Sequence, residues 1–223
     1  MIGAMPQAPS ILQAIAWPFV RGLLWWGGSL QVEGMTHVRN LPSGVVFAVN
    51  HRSEWDPIIL TALFRPFSSH TPMYFVTRGL GGYGGPWYKK LFYGGWYFRL
   101  WGAIPTQKGH HNYRMTLSDH VRILSRGHSM CIFPEGGIHT SGSEVRYHGG
   151  VIHLALESET PIVPVHISGQ EKVGIRSLVF KKNAGIRVKL SAPIFPDDIR
   201  QRWPTHVIDP SKYAACAAAI MQS

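Results

Sequence analysis

Acidic residues are scarce in this 223-residue chain: 12 Asp and Glu stand against 22 Lys and Arg, a formal net charge of +10. No acid occurs between Asp56 and Asp119. From Arg65 to Arg126 there are nine basic residues and one acid, so this stretch carries eight of the ten excess charges. A surface this basic implies a polyanionic partner, whether nucleic acid, an anionic membrane or a phosphate-bearing substrate. Cysteine is nearly absent. Cys131 and Cys216 form no CxxC or zinc-type spacing, which argues against a disulfide-built secreted domain. The 12 histidines include no HExxH and no His/Cys pairs at finger spacing, so no metal site is expected from them. No GxSxG elbow and no P-loop occurs, which leaves a serine hydrolase or an NTPase without its motif. Internal repeats and low-complexity tracts are missing too. Hydrophobic residues make up 45% of the chain, enough for one cored domain.

The apolar content is arranged in two ways. Residues 11–30 are mostly apolar and about as long as a membrane span. However, Arg21 sits in their middle, Pro18 interrupts them and Gly27-Gly28 close them. Leu12, Ile15, Phe19, Leu23, Trp26 and Leu30 recur at steps of three and four, the period of one helix face. This predicts an interfacial or re-entrant amphipathic helix at a membrane, with docking on its own domain as the alternative. No basic run precedes it, so a signal peptide is not expected. We therefore divide the chain into a helical membrane-association segment, 1–30, and an α/β domain, 31–223. The second arrangement is a set of short β-branched runs at 44–50, 73–77, 129–133, 161–167 and 185–190, separated by helical patterns at 54–64, 113–125 and 151–156 and followed by one at 214–221. Alternation of this kind predicts an α/β fold with a mostly parallel sheet flanked by helices. Chemistry in such folds sits where loops leave the carboxyl ends of strands.

Between the two lies a stretch in which Trp87, Tyr88, Phe92, Tyr93, Trp96, Tyr97, Phe98 and Trp101 alternate with Lys89, Lys90 and Arg99. Trp and Tyr concentrate at membrane interfaces, and single-strand nucleic-acid binders mix the same residue types. No nucleic-acid signature accompanies it, so membrane lipids are the expected partner and nucleic acid is not. Gly79-Leu80-Gly81-Gly82-Tyr83-Gly84 fits GxGxxG formally, yet the acidic residue a dinucleotide site wants downstream is lacking. A loop at the membrane entrance is the better reading.

The first strand runs directly into Asn50-His51-Arg52-Ser53-Glu54-Trp55-Asp56. If Ser53 caps the next helix, Asp56 falls at its third position and the chain can fold back to bring His51 and Asp56 together. A carboxylate on one imidazole nitrogen fixes the tautomer and frees the other nitrogen to act as a general base. Equally, Asp56 could complete a capping box and His51 be an ordinary loop residue.

Asn50-His51, four residues and then Asp56, with Ser53 between, resembles the first block of the glycerolipid acyltransferase family, which includes the 1-acylglycerol-3-phosphate acyltransferases. Gly102-Ala103-Ile104-Pro105-Thr106-Gln107-Lys108 resembles the second block, Phe133-Pro134-Glu135-Gly136 the third and Val163-Pro164-Val165-His166-Ile167 the fourth. The resemblance covers residues 30–170 in the family's order. It implies an O-acyltransferase in which His51 and Asp56 are catalytic. The acyl group would come from acyl-CoA or acyl carrier protein and pass to a lysophospholipid or related polar-lipid hydroxyl, with no cofactor beyond that donor. It also implies a membrane-associated protein on the cytoplasmic face. Substrate-binding candidates are Asn50, Ser53, Arg78, Lys108, Glu135, Gly136 and Arg146, with backbone N–H groups near the dyad or in 136–142 for the oxyanion. A non-catalytic lipid or anionic-ligand module on the same fold is the alternative. The chain departs from the family where its phosphate-binding Arg belongs: position 138 is Ile138, and Lys108 stands for the second block's Arg.

Overall fold

The computed structural model describes residues 8–41, 43–77, 96–107, 112–139, 145–173, 178–180, 185–203 and 210–222. The helices are α1 (Ala8–Trp26), α2 (Thr36–Arg39), α3 (Asp56–Leu63), α4 (Trp96–Trp101), α5 (Tyr113–Thr116), α6 (Ser118–Leu124), α7 (Gly150–Ser158), α8 (Pro196–Arg202) and α9 (Tyr213–Gln222). The strands are β1 (Gln31–Glu33), β2 (Val46–Val49), β3 (Tyr74–Thr77), β4 (Ala103–Pro105), β5 (Met130–Ile132), β6 (Ile162–Ser168) and β7 (Arg187–Leu190). They form one sheet in the order β1-β7-β6-β2-β5-β3-β4. Strands β2 to β6 run one way; β7 pairs antiparallel with β6, and β1 pairs parallel with β7.

Strand β2 lies between β5 and β6, with Phe47 opposite Cys131 on one side and Val163 on the other. All four of its residues are buried, as a continuous apolar strand must be when helices cover both faces. Phe47 and Val49 point into a core shared with α1 and α3. Val46 and Ala48 point into a second core built with α6, α7 and α9. The alternation of β2 thus feeds both layers, and its carboxyl end emerges between them. Gly102 makes the turn into β4. Its φ is 108°, and a Cβ there would stand 2.7 Å from the Met73 carbonyl oxygen, so only glycine fits.

The N-terminal segment is part of this architecture and not separable at residue 30. Gln13 is buried on α1, and its Nε2 donates to the carbonyls of Met73 (2.8 Å) and Trp101 (2.7 Å) while its Oε1 accepts from Met73 N–H (2.9 Å). Leu24 is fully buried, and Leu12, Ala16 and Val20 pack on the same core. The opposite side of the helix is apolar as well: Ile15, Phe19 and Trp25 are 61%, 70% and 73% exposed. The expected apolar face is therefore divided, with Leu12 turned to the domain and Ile15, Phe19 and Trp26 turned outward. Among the described residues no helix is long and apolar enough to cross a membrane.

Candidate active site

Helix α3 begins at Asp56, not at Glu54, and Ser53 does not cap it. Trp55 holds the cap position without a side-chain hydrogen bond, and Pro57 follows inside the first turn. A tight turn precedes the helix, in which Asp56 N–H donates to the Ser53 carbonyl (3.2 Å) and Trp55 N–H to Ser53 Oγ (3.2 Å). The Asp56 side chain folds back over this turn. Its Oδ2 accepts from the backbone N–H groups of Arg52 (2.8 Å) and Ser53 (2.9 Å) and lies 3.0 Å from His51 Nδ1. An oxygen already accepting two N–H bonds is an acceptor toward the imidazole too, so Nδ1 carries the proton and donates. Nε2 is then the nitrogen able to take a proton from a hydroxyl.

Three features hold the dyad still. Asp56 is fully buried, while the His51 side chain is 17% exposed. The Phe133 ring stacks on His51 with centroids 3.9 Å apart and planes 17° from parallel. Asn50 ties the end of β2 to β6, its Nδ2 donating to the Ile167 carbonyl (2.9 Å) and its Oδ1 accepting from Ile167 N–H (2.7 Å). With both ends of its amide used and its side chain buried, Asn50 clamps the end of β2 to β6. Ser53 donates its N–H to Asp56 Oδ2 and accepts at Oγ from Trp55 N–H within the turn. The fourth block lies on β6 and supplies the backbone of this clamp.

The loop after β5 closes over the same corner. Gly136, at φ 72°, donates to the Phe133 carbonyl (2.9 Å), and His139 N–H donates to the His51 carbonyl (3.0 Å). These two amides are committed, as are those of Arg52 and Ser53. Among the described residues, the amides of Glu135, Gly137 and Ile138 in this loop make no backbone hydrogen bond. Glu135 is buried, and its Oε2 has no hydrogen-bond partner; Asp56 Oδ1 is in the same condition. Burial pushes the Cys131 thiol well up, and the nearby Asp56 carboxylate adds to it, so this cysteine beneath the dyad stays protonated and inert.

Arg146 is exposed, and no hydrogen bond or ion pair joins it to the dyad. Arg78, Lys108, the glycine-rich segment and residues 86–95 lie outside the described residues. Sequence reasoning missed Phe133 as the stacking partner and Arg52 as a side chain at the site. The second sits inside the motif itself, where its charge was the available signal.

The His-Asp pair sits at the carboxyl end of a central parallel strand, where α/β folds place their sites, and no nucleophilic side chain shares its hydrogen bonds among the described residues. A family model described as Acyltransferase matches residues 29–168, more than half of the sequence, and the chain belongs to that family. It is 24% identical over 174 residues to a probable 1-acyl-sn-glycerol-3-phosphate acyltransferase of Mycoplasma pneumoniae, covering 73% of this chain and 61% of that one. It is 30% identical over 87 residues to a 1-acyl-sn-glycerol-3-phosphate acyltransferase of Cocos nucifera, covering 39% of this chain and 28% of that one. The chain thus spans less than two thirds of the length of these curated relatives. The crystal structure of the 1-acyl-sn-glycerophosphate (LPA) acyltransferase from Thermotoga maritima shares the fold at a TM-score of 0.53 and 16% identity, over 89% of this chain and 80% of that one.

Proposed function

We propose that this protein moves a fatty acyl group from a thioester, on coenzyme A or acyl carrier protein, to a hydroxyl of a lysophospholipid or related polar lipid. The 3.0 Å contact between His51 Nδ1 and Asp56 Oδ2 carries this reading, because it leaves a fixed imidazole whose only open role is proton transfer. The acceptor hydroxyl gives its proton to His51 Nε2 as its oxygen attacks the thioester carbon. A C–O bond forms and charge develops on the carbonyl oxygen. Collapse breaks the C–S bond, and the imidazolium proton goes to the departing thiolate. Asp56 stabilises the transient imidazolium without taking its proton. Gly137 and Ile138 N–H groups offer the oxyanion its donors, and Glu135 and Gly136 border the acceptor.

The lipid substrate is reached from a membrane surface. The outward stripe of α1, with Ile11, Ile15, Phe19 and Trp25 exposed, has the form of a helix lying in the interface on its apolar side while the other side stays docked. Each such side chain buried in lipid contributes about 1.5–3 kcal/mol. The net positive charge favours the anionic cytoplasmic leaflet.

The experiment is incubation of the purified protein with labelled acyl-CoA and a panel of lysolipids, followed by lipid mass spectrometry. A diacyl product that depends on both substrates and disappears in His51→Ala is the expected result. Release of free acid without acceptor, or no product from any lysolipid, would overturn the reading.

A further inference from the structure

The headgroup of an acceptor needs a cation near the dyad, and position 138 does not supply one, since Ile138 stands there 49% exposed. Arg52 does stand there. Its backbone N–H holds Asp56 Oδ2, while its half-buried side chain reaches toward the 136–139 loop, where Nη1 makes a long 3.5 Å contact with the His139 carbonyl. Among the described residues this guanidinium forms no ion pair with a carboxylate. Nor is it remote from the other polar groups of the site. Burial raises the Tyr147 hydroxyl, the Glu135 carboxylate raises it further and Arg52 opposes them, so both charges lie within electrostatic reach of Tyr147.

We propose that Arg52 binds the phosphate of the acceptor's headgroup and is the residue that makes the site select a phosphorylated acceptor. The inference rests on the acyl-transfer reading for the identity of the acceptor. A guanidinium offers five N–H donors in a planar fork that matches two phosphate oxygens at once, and among the described residues only Nη1 of Arg52 has a hydrogen-bond partner. Because Arg52 follows the base directly in the chain, a phosphate held on it keeps the adjacent glycerol carbon's hydroxyl close to His51.

The test measures binding with no acyl donor present, so that turnover plays no part. Short-chain lysophosphatidic acid and the matching monoacylglycerol are titrated calorimetrically into the wild type, Arg52→Gln, Arg52→Lys and Lys108→Ala. Arg52→Gln is expected to weaken lysophosphatidic acid by about 10- to 100-fold, the loss of one charge-assisted contact, and to leave monoacylglycerol affinity where it was. Arg52→Lys, which keeps the charge without the fork, should fall between. Equal weakening of both ligands by Arg52→Gln would mean that the side chain only supports the 136–139 loop, and would overturn the proposal. So would phosphate selectivity lost in Lys108→Ala alone, or a wild type that binds neither ligand. Arg52-dependent binding of lysophosphatidic acid without any acyl transfer on adding acyl-CoA would support the phosphate site while sinking the proposed reaction.

Discussion

At the carboxyl end of β2, three hydrogen bonds converge on one oxygen of Asp56, and Phe133 covers the imidazole that one of them fixes. Along the outer side of α1, Ile15, Phe19 and Trp25 meet solvent, while the inner side of the same helix is hydrogen-bonded into the domain by Gln13. The first region is closed and preorganised, as catalysis by positioning requires. The second leaves uncovered an amount of apolar side chain that a soluble surface seldom tolerates in one stripe. The two lie in one packed unit, so a membrane gripping the stripe also sets where the dyad sits relative to lipid.

The largest break in this comparison is at the dyad. His51→Ala should lower acyl transfer by about 10²–10⁴ with little change in the thermal transition, because the ring is partly exposed. Asp56→Ala should approach the same loss. Asp56→Asn should fall short of it, since all three hydrogen bonds land on Oδ2 and an amide oxygen there can keep accepting them. What it loses is the charge beside the imidazolium. Its new N–H₂ would also enter the buried, unpartnered position of Oδ1. Single-turnover assays of the three variants rank these effects, and an Asp56→Asn rate below that of His51→Ala would contradict the geometry.

Stability breaks next, at the inner side of α1. Gln13→Ala removes all three of that residue's hydrogen bonds and strands buried backbone groups of Met73 and Trp101, at a cost of about 1–3 kcal/mol. Denaturant unfolding should show it. Deleting residues 1–30 would remove Gln13 and Leu24 together and unfold the edge of the domain, so truncation cannot isolate membrane attachment. Substitution of the outer side can. Ile15→Ser with Phe19→Ser and Trp25→Ser should leave unfolding unchanged and reduce sedimentation with anionic liposomes severalfold, more than high salt does. Undiminished liposome binding by this triple variant would remove α1 as the attachment surface.

Much of this was legible in the sequence where a pattern is local. The five expected strands are present, four of them shortened and the one expected at 161–167 shifted by one residue, and the dyad forms because both partners and the turn between them are contiguous. The three-residue edge strands β1 and β4 were not foreseen, since a run that short has no measurable period. The expected helix at 113–125 is broken at Leu117, whose φ of −113° ends α5 before α6 begins. Helix α8 carried a readable start that was passed over: Pro196 follows the cap, and Asp198 reaches back to accept from Phe195 N–H (2.9 Å). The role of Asn50 was not legible at all, because its partner Ile167 is reached only through the sheet. Nor does helical period say which of two apolar faces docks. On α1, one buried glutamine decides it.

The smallest expected effect concerns acid, and it separates the core from the dyad. His70, His120, His128 and His153 all have pKa values lowered from 6.5, in each case first by burial. For His120 the hydrogen bond to the Ile104 carbonyl and the Asp119 charge oppose that shift without cancelling it, whereas for His128 the Arg126 charge adds to it. A histidine whose folded pKa is depressed takes up its proton more readily in the unfolded chain. Its contribution to stability is therefore complete above about pH 6.5 and is lost as pH falls toward the folded values. The melting temperature should accordingly be flat from pH 8 to 7 and decline below 6.5. His120→Gln retains an N–H able to reach the Ile104 carbonyl and cannot be charged, so it should reduce the steepness of that decline. An unchanged slope in this variant would remove His120 as a source of the acid sensitivity.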